Sequence, residues 1–359
     1  MDVPLFATSL EPQRERIATL LTEVAASGRY ILGPEVEAFE REFADYLGVR
    51  HVVGVANGTD ALTIALRALG VAPGDEVVCP SFTFYATVEA VVNAGARPVF
   101  CDVDPDSGCI TAATVAPVLT ARTRAIVPVH LFGNVAPVPE LSEFGVPVLE
   151  DAAQAAGATL RGARAGALGD AATFSFFPSK NLPCLGDGGA IATDSDAVAD
   201  RARTLRFHGS RDKLTHTDVG YNSRLDALQA AVLRVLLPEL DGWNADRRAA
   251  AEAYERAGIG ELVAPLRPTD GAEHVHHLYV VRSDRADDLA VALGDRGIGA
   301  RGYYRTPAHR QAPLREYAQA ELPATDELAR TNLALPMGPL LNATAIAAVV
   351  EACGAKAVA

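Results

Sequence analysis

FSFFPSKNLPCLGDGGA, residues 174–190, is the stretch on which the reading of the chain turns. An apolar run ends, a single lysine, Lys180, follows between Ser179 and Asn181, and a loop then carries Gly186, Gly188 and Gly189. Lysine is scarce here. Of 32 basic residues only Lys180, Lys213 and Lys356 are lysine. Lys213 lies in the polar stretch GSRDKLTH and Lys356 in the C-terminal tail. Lys180 alone ends an apolar run, where an amine is costly to desolvate and its pKa easily moved.

Working outward from that lysine, short apolar runs alternate with helix-like stretches. HVVGVA (51–56), EVVCP (76–80), RPVFCDV (97–103), RAIVPVH (124–130), VPVLED (146–151), AATFSFF (171–177) and GAIATD (189–194) read as strands. Between several of them lie amphipathic segments such as TDALTIALRALG (59–70). Strands apolar on both faces and separated by helices predict an α/β fold with a mostly parallel sheet covered on both sides. The first fifty residues read as two helices, with Pro34 suited to the first turn of the second. The segment from Arg224 to Gly258 reads as a long helical stretch that Pro238 must break. HHLYVVR, DRADDLAVALGDRG and IGARGYY then read as strand, helix and strand of a smaller C-terminal unit. The expected division is a large domain over 1–235, including the N-terminal helices, and a small α/β domain over 236–359.

Composition narrows the function. With 359 residues the chain is long enough for a large core and a second, smaller unit. A formal charge of −13 argues against nucleic acid or an anionic membrane as a partner through bulk electrostatics. Five dispersed cysteines without a C-x-x-C pair read as reduced thiols, which points to the cytoplasm. No apolar run approaches the ~20 residues that span a bilayer, and no signal-peptide pattern opens the chain.

In open α/β sheets, ligands bind beyond the carboxyl ends of the strands. After the first strand, Gly58 and Thr59 open a helix whose free N–H groups would cradle a phosphate; a plain helix cap is the alternative. After the second, Phe84 could stack on a flat ring, with core packing as the alternative. Asp151 ends the fifth strand, where its carboxylate suits a protonated ring nitrogen, with a plain helix N-cap as the alternative, and Gln154 follows one turn on. Ser175 lies in the next strand and Lys180 follows it. A phosphate cradle, a stacking aromatic, a carboxylate and a strand-end lysine together suit pyridoxal 5′-phosphate, with Lys180 as Schiff-base partner. The histidines of EHVHH (His274, His276, His277) alternate as in a strand and lack an acidic or cysteine ligand set, so no metal site is expected.

These motifs resemble those of the DegT/DnrJ/EryC1/StrS family of PLP-dependent sugar aminotransferases. They run in order from GRYILGPEVEAFE through NGTDAL, EDAAQAAGA, FSFFPSKNL and GDGGA to GYNSRLDALQAA. The resemblance implies the fold-type I aspartate aminotransferase architecture. It implies Lys180 as the covalent partner and proton carrier, Asp151 at the pyridine nitrogen and Gln154 near the ring oxygen. It places Gly58, Thr59 and Ser175 at the phosphate, Phe84 on the ring, and Asn222 on the phosphate of the neighbouring subunit's cofactor. A homodimer with shared sites follows. It further implies L-glutamate as donor, pyridoxamine 5′-phosphate as the form between half-reactions, and a nucleotide-linked keto-sugar as acceptor, with C3 favoured over C4. Tyr30, Arg224, Tyr304 and His309 are candidate sugar-nucleotide contacts. Relatives with histidine in place of the lysine are sugar dehydratases, an alternative that Lys180 disfavours; a non-catalytic PLP-binding regulator is the other. Pro183 and Cys184 stand where a glycine and a small residue are expected, and Arg305 where many members carry proline.

Overall fold

The computed structural model describes residues 2–318 and 321–354; Lys356 lies outside them. Seven strands form the central layer: β1 (His51–Val55), β2 (Glu76–Pro80), β3 (Arg97–Cys101), β4 (Thr123–Ile126), β5 (Leu149–Asp151), β6 (Ala171–Ser175) and β7 (Gly189–Thr193). One ladder runs β1-β7-β6-β5 and another β3-β2-β4. Parallel bridges from Ile126 to Val148 and from Val129 to Asp151 join them into a single order, β1-β7-β6-β5-β4-β2-β3. Only β7 runs against its neighbours, pairing antiparallel with both β1 and β6.

Helices cover both faces because both faces are apolar. On one side α3 (Gly58–Ala68), α4 (Tyr85–Asn93) and α5 (Asp196–Leu205) bury Ile64, Leu66, Val88, Val91 and Leu205 against the sheet. On the other side α1 (Arg14–Ser27), α2 (Pro34–Leu47) and α6 (Ala227–Leu236) pack on Phe174 and Phe176. There Phe43 meets both rings edge-on, at 5.0 and 5.6 Å between centroids. Pro34 occupies the first turn of α2, as its ring requires. Pro238 sits in a 3₁₀ turn, Leu237–Glu239, that separates α6 from α7 (Leu240–Arg256).

The C-terminal layer is a three-stranded antiparallel sheet of β8 (Ala264–Pro265), β9 (Tyr279–Arg282) and β10 (Asn332–Leu335). It packs against α7, α8 (Ala286–Gly294) and α10 (Ala343–Gly354), after α9 (Pro323–Thr331) leads into β10. Two features differ from the sequence expectation. Residues 298–304 form no strand: they make isolated bridges, Ile298 with Val3 and Arg301 with Ala334. The backbone turns away at Tyr304, whose φ is +60°. The strand that pairs with β9 on its other side is instead β10, four consecutive buried residues ahead of Pro336. The chain's first residues also reach this layer, with Ala7 N–H donating to Met337 O at 2.9 Å.

Candidate active site

The carboxyl ends of β1, β2, β5 and β6 all open onto one cavity of about 480 Å³. Topology alone brings together segments separated by more than a hundred residues. Gly58, Thr59, Phe84, Asp151, Gln154, Ser175, Lys180 and Tyr304 line it. At the end of β1 the Asn57 side chain caps α3, its Oδ1 accepting from Asp60 N–H at 2.8 Å. The helix N-terminus thus points its remaining N–H groups at the cavity. Gly58 is required there by space: a Cβ on it would lie 2.9 Å from Ser175 Cβ. Gly189 approaches the same turn so closely that a Cβ would sit 2.4 Å from Asn57 O.

Asp151 ends β5 and is buried. Its Oδ2 accepts from Thr87 Oγ1 at 2.8 Å and its Oδ1 from Ala153 N–H at 3.2 Å. Burial raises its pKa, while these bonds and the Lys180 charge pull the other way. Behind it Glu150, fully buried, accepts from the N–H groups of Gly166, Leu168 and Gly169 and pairs with His130 at 2.7 Å. That network fixes the strand end that presents Asp151.

Lys180 follows β6 through a turn in which its N–H donates to Phe177 O at 2.8 Å. Desolvation lowers its pKa to about 8, against a smaller opposing pull from Asp151. Among the described residues its amine makes no ion pair. Lys180 and Asp151 therefore face one cavity without closing on each other.

Gln154 Oε1 accepts from Phe132 N–H at 2.7 Å and its amide donates to Tyr304 Oη at 3.0 Å. Tyr304 stacks on Phe132 with a 4° interplanar angle, and burial raises its phenol pKa. Phe84 stands at the mouth, 57% exposed, its ring 6.3 Å from that of Tyr304.

Four expected contacts lie outside this cavity. Tyr30 is half-exposed and donates to Ala25 O at 3.0 Å. Arg224 lays its guanidinium over Phe207, 5.5 Å from the ring centroid. His309 is buried; its Nδ1 meets Ser81 Oγ at 2.6 Å, bracing the loop that follows β2. Asn222 is exposed and itself forms an isolated bridge with Phe207. Sequence reasoning missed Thr87, Phe6 and His277, which also line the cavity, as does Arg301. Thr87 lies one helical turn from Phe84 inside an unremarkable helix, and Phe6 and His277 come from distant segments. Arg301 sits over the Tyr303 ring at 5.5 Å. Of the clustered histidines His277 is buried and His274 and His276 are partly so, and desolvation drives the pKa of all three down, so they stand neutral. Among the described residues no three His, Cys, Asp or Glu side chains are placed to hold a metal.

The sequence is 43% identical over 362 residues to the pleiotropic regulatory protein of Geobacillus stearothermophilus, covering 98% of this chain and 97% of that one. It is 44% identical over 350 residues to the dTDP-3-amino-3,4,6-trideoxy-alpha-D-glucose transaminase of Streptomyces venezuelae, covering 95% and 92%. The structure superposes on S. venezuelae DesV in complex with a ketimine intermediate at a TM-score of 0.94, with 42% identity over 98% of this chain and 97% of that one. NtdA of Bacillus subtilis, solved with bound pyridoxamine phosphate, matches at 0.86 with 31% identity, over 95% and 82%. The model of the DegT/DnrJ/EryC1/StrS aminotransferase family matches residues 12–353, and the chain belongs to that family.

Proposed function

We propose that the chain is a PLP-dependent aminotransferase moving an amino group from L-glutamate to a nucleotide-linked 3-keto-sugar. The observation that carries this reading is the pair Lys180 and Asp151, two groups of opposite charge desolvated in one cavity and unpaired with each other. Such a pair is costly unless a third group is held between them. The residues present fit pyridoxal phosphate. Gly58, Thr59 and Ser175 offer a cradle with no room for a Cβ on Gly58, and Asp151 a carboxylate held by two donors. Gln154 would stand by the ring oxygen, Phe84 by the ring face, and Asn222 would reach the phosphate held by a partner subunit.

When bound, the cofactor supplies an aldehyde that takes up the amine and a ring that delocalises the electron pair left by C–H cleavage. The chain's own residues do the rest. Lys180, its pKa lowered to about 8, is neutral in roughly a tenth of molecules at pH 7, far more than an ordinary lysine. Its Nζ takes the proton from the donor's Cα in one half-reaction and delivers one to the receiving sugar carbon in the other. Asp151 would hold positive charge on the ring nitrogen, and Thr87 and Ala153 keep that carboxylate oriented. Phe84 and Tyr304 narrow the mouth against water.

C3 is favoured by the Streptomyces relative, named for a 3-amino sugar. Purified protein supplied with L-glutamate and dTDP-linked keto-hexoses is expected to aminate the 3-keto sugar, seen by mass spectrometry of the product. Amination of the 4-keto isomer alone would overturn the position. A regulatory reading draws on the name of the Geobacillus relative; a desolvated lysine opposite a desolvated carboxylate is unneeded by a protein that only binds.

A further inference from the structure

A second cavity, of about 320 Å³, shares Lys180 with the first and is otherwise lined by different residues, among them Thr8, Asn181, Cys184, Trp243 and Arg247. Arg247 is 2% exposed. Its Nη1 donates to His276 O at 3.1 Å, but its Nε is buried without a hydrogen-bond partner. Among the described residues no carboxylate forms an ion pair with it. Its ionisable neighbours, His276 and His277, carry no negative charge to offset it. Burial lowers the guanidinium's pKa to about 10, so it stays charged. A buried, charged guanidinium at the wall of a cavity, with a donor to spare and no carboxylate beside it, suits an anion, and a carboxylate is the anion whose geometry a guanidinium matches.

The reaction brings two chemically different molecules to Lys180 in turn. A nucleotide sugar carries its charge on the diphosphate, far from the reacting carbon. An amino acid carries a carboxylate one bond from the carbon that loses its proton, so its anchor must lie close to Lys180. We propose that Arg247 anchors a carboxylate of the amino donor in the cavity it shares with Lys180, while the larger cavity holds the cofactor and takes the sugar nucleotide. This rests on the aminotransferase reading. Pro183 and Cys184, the two departures in the lysine loop, line this same cavity, which makes donor choice the property they would tune.

The test separates the half-reactions in the holoprotein. Conversion of the cofactor by L-glutamate is titrated spectroscopically in the parent, Arg247→Met and Arg247→Lys; the return step is then followed with the nucleotide keto-sugar. Arg247→Met is expected to raise the glutamate concentration needed for half-conversion by about 30-fold or more. The return step should change by less than about threefold, and Arg247→Lys should recover part of the loss. Calorimetric titration with 2-oxoglutarate, which needs no turnover, should show binding to the parent and none to Arg247→Met. Equal losses in both half-reactions, or an unchanged glutamate titration, would overturn the assignment. If no donor converts the parent, the aminotransferase reading fails, and the 2-oxoglutarate titration alone then decides the Arg247 site.

Discussion

At the scale of the residue, Lys180 sets a measurable sign. Its folded-state pKa, about 8, lies below the ordinary lysine value of 10.5. Between those pH values the unfolded chain binds more protons than the folded one, so stability rises with pH across that window. In protein stripped of cofactor, Lys180→Met should therefore stabilise at pH 7, by about 1–3 kcal/mol after discounting for partial solvent exposure. The gain should shrink as pH climbs from 8 toward 10.5. Urea denaturation at pH 7 and pH 10 checks this, and a gain independent of pH would refute it. Gly58→Ala places a Cβ 2.9 Å from Ser175 Cβ. It should weaken cofactor affinity about tenfold or more, since shifting the turn misaims the helix N–H groups. Equilibrium dialysis against pyridoxal phosphate reads that directly.

The residues that line the cavity were legible wherever a strand end announced them. Asp151, Ser175 and Lys180 each end or follow an apolar run, and Gly58 follows one ahead of a helix. Thr87 and His277 gave no such signal, because they reach the cavity from inside a helix and from the distant C-terminal layer. Tyr30 and His309 were misleading for the opposite reason. A polar or aromatic side chain in a plausible segment says nothing of the direction in which it points, and these two spend their polar atoms on Ala25 O and on Ser81 Oγ.

At the scale of the element, a buried ion pair ties α2 to the sheet. Glu40 Oε1 accepts from Gly54 N–H at 2.8 Å and from the Arg206 guanidinium, which also donates to Gly54 O at 2.7 Å. Glu40→Ala leaves Arg206, 8% exposed, without its partner. It should cost about 3–5 kcal/mol in chemical denaturation, whereas replacing both residues with apolar ones should cost less. Sequence pattern served the central strands well because they are short, apolar on both faces and bounded by turns. It failed at 298–304, where the apolar alternation is interrupted by Gly299 and Gly302 and by a left-handed Tyr304. It also passed over Asn332–Leu335, whose four buried residues carry no periodicity with which to distinguish a strand from the end of α9.

At the scale of the whole molecule, the site invites a partner. Tyr30, Ile31, Phe84, Phe177 and Leu185 are large apolar side chains about half exposed, and Leu214 and Val219 are 86% and 85% exposed. A homodimer that covers them, with Asn222 reaching across, makes a specific prediction. Lys180→Ala and Asn222→Asp proteins should each be nearly inactive alone. Mixed and allowed to exchange subunits, they should recover up to about a quarter of parental activity, because half the dimers then hold one intact site. No recovery despite exchange, followed by light scattering or native mass spectrometry, would place each site within one chain.

The claim on which all of this rests is that Lys180 holds the cofactor covalently. The most direct measurement is borohydride reduction of the protein after incubation with pyridoxal phosphate, followed by peptide mapping, with absorption spectra taken before and after L-glutamate. The account predicts a visible absorption band that L-glutamate discharges, and a pyridoxyl group fixed on the peptide containing Lys180. A label spread over surface amines such as Lys213, or no band and no label at all, would contradict it.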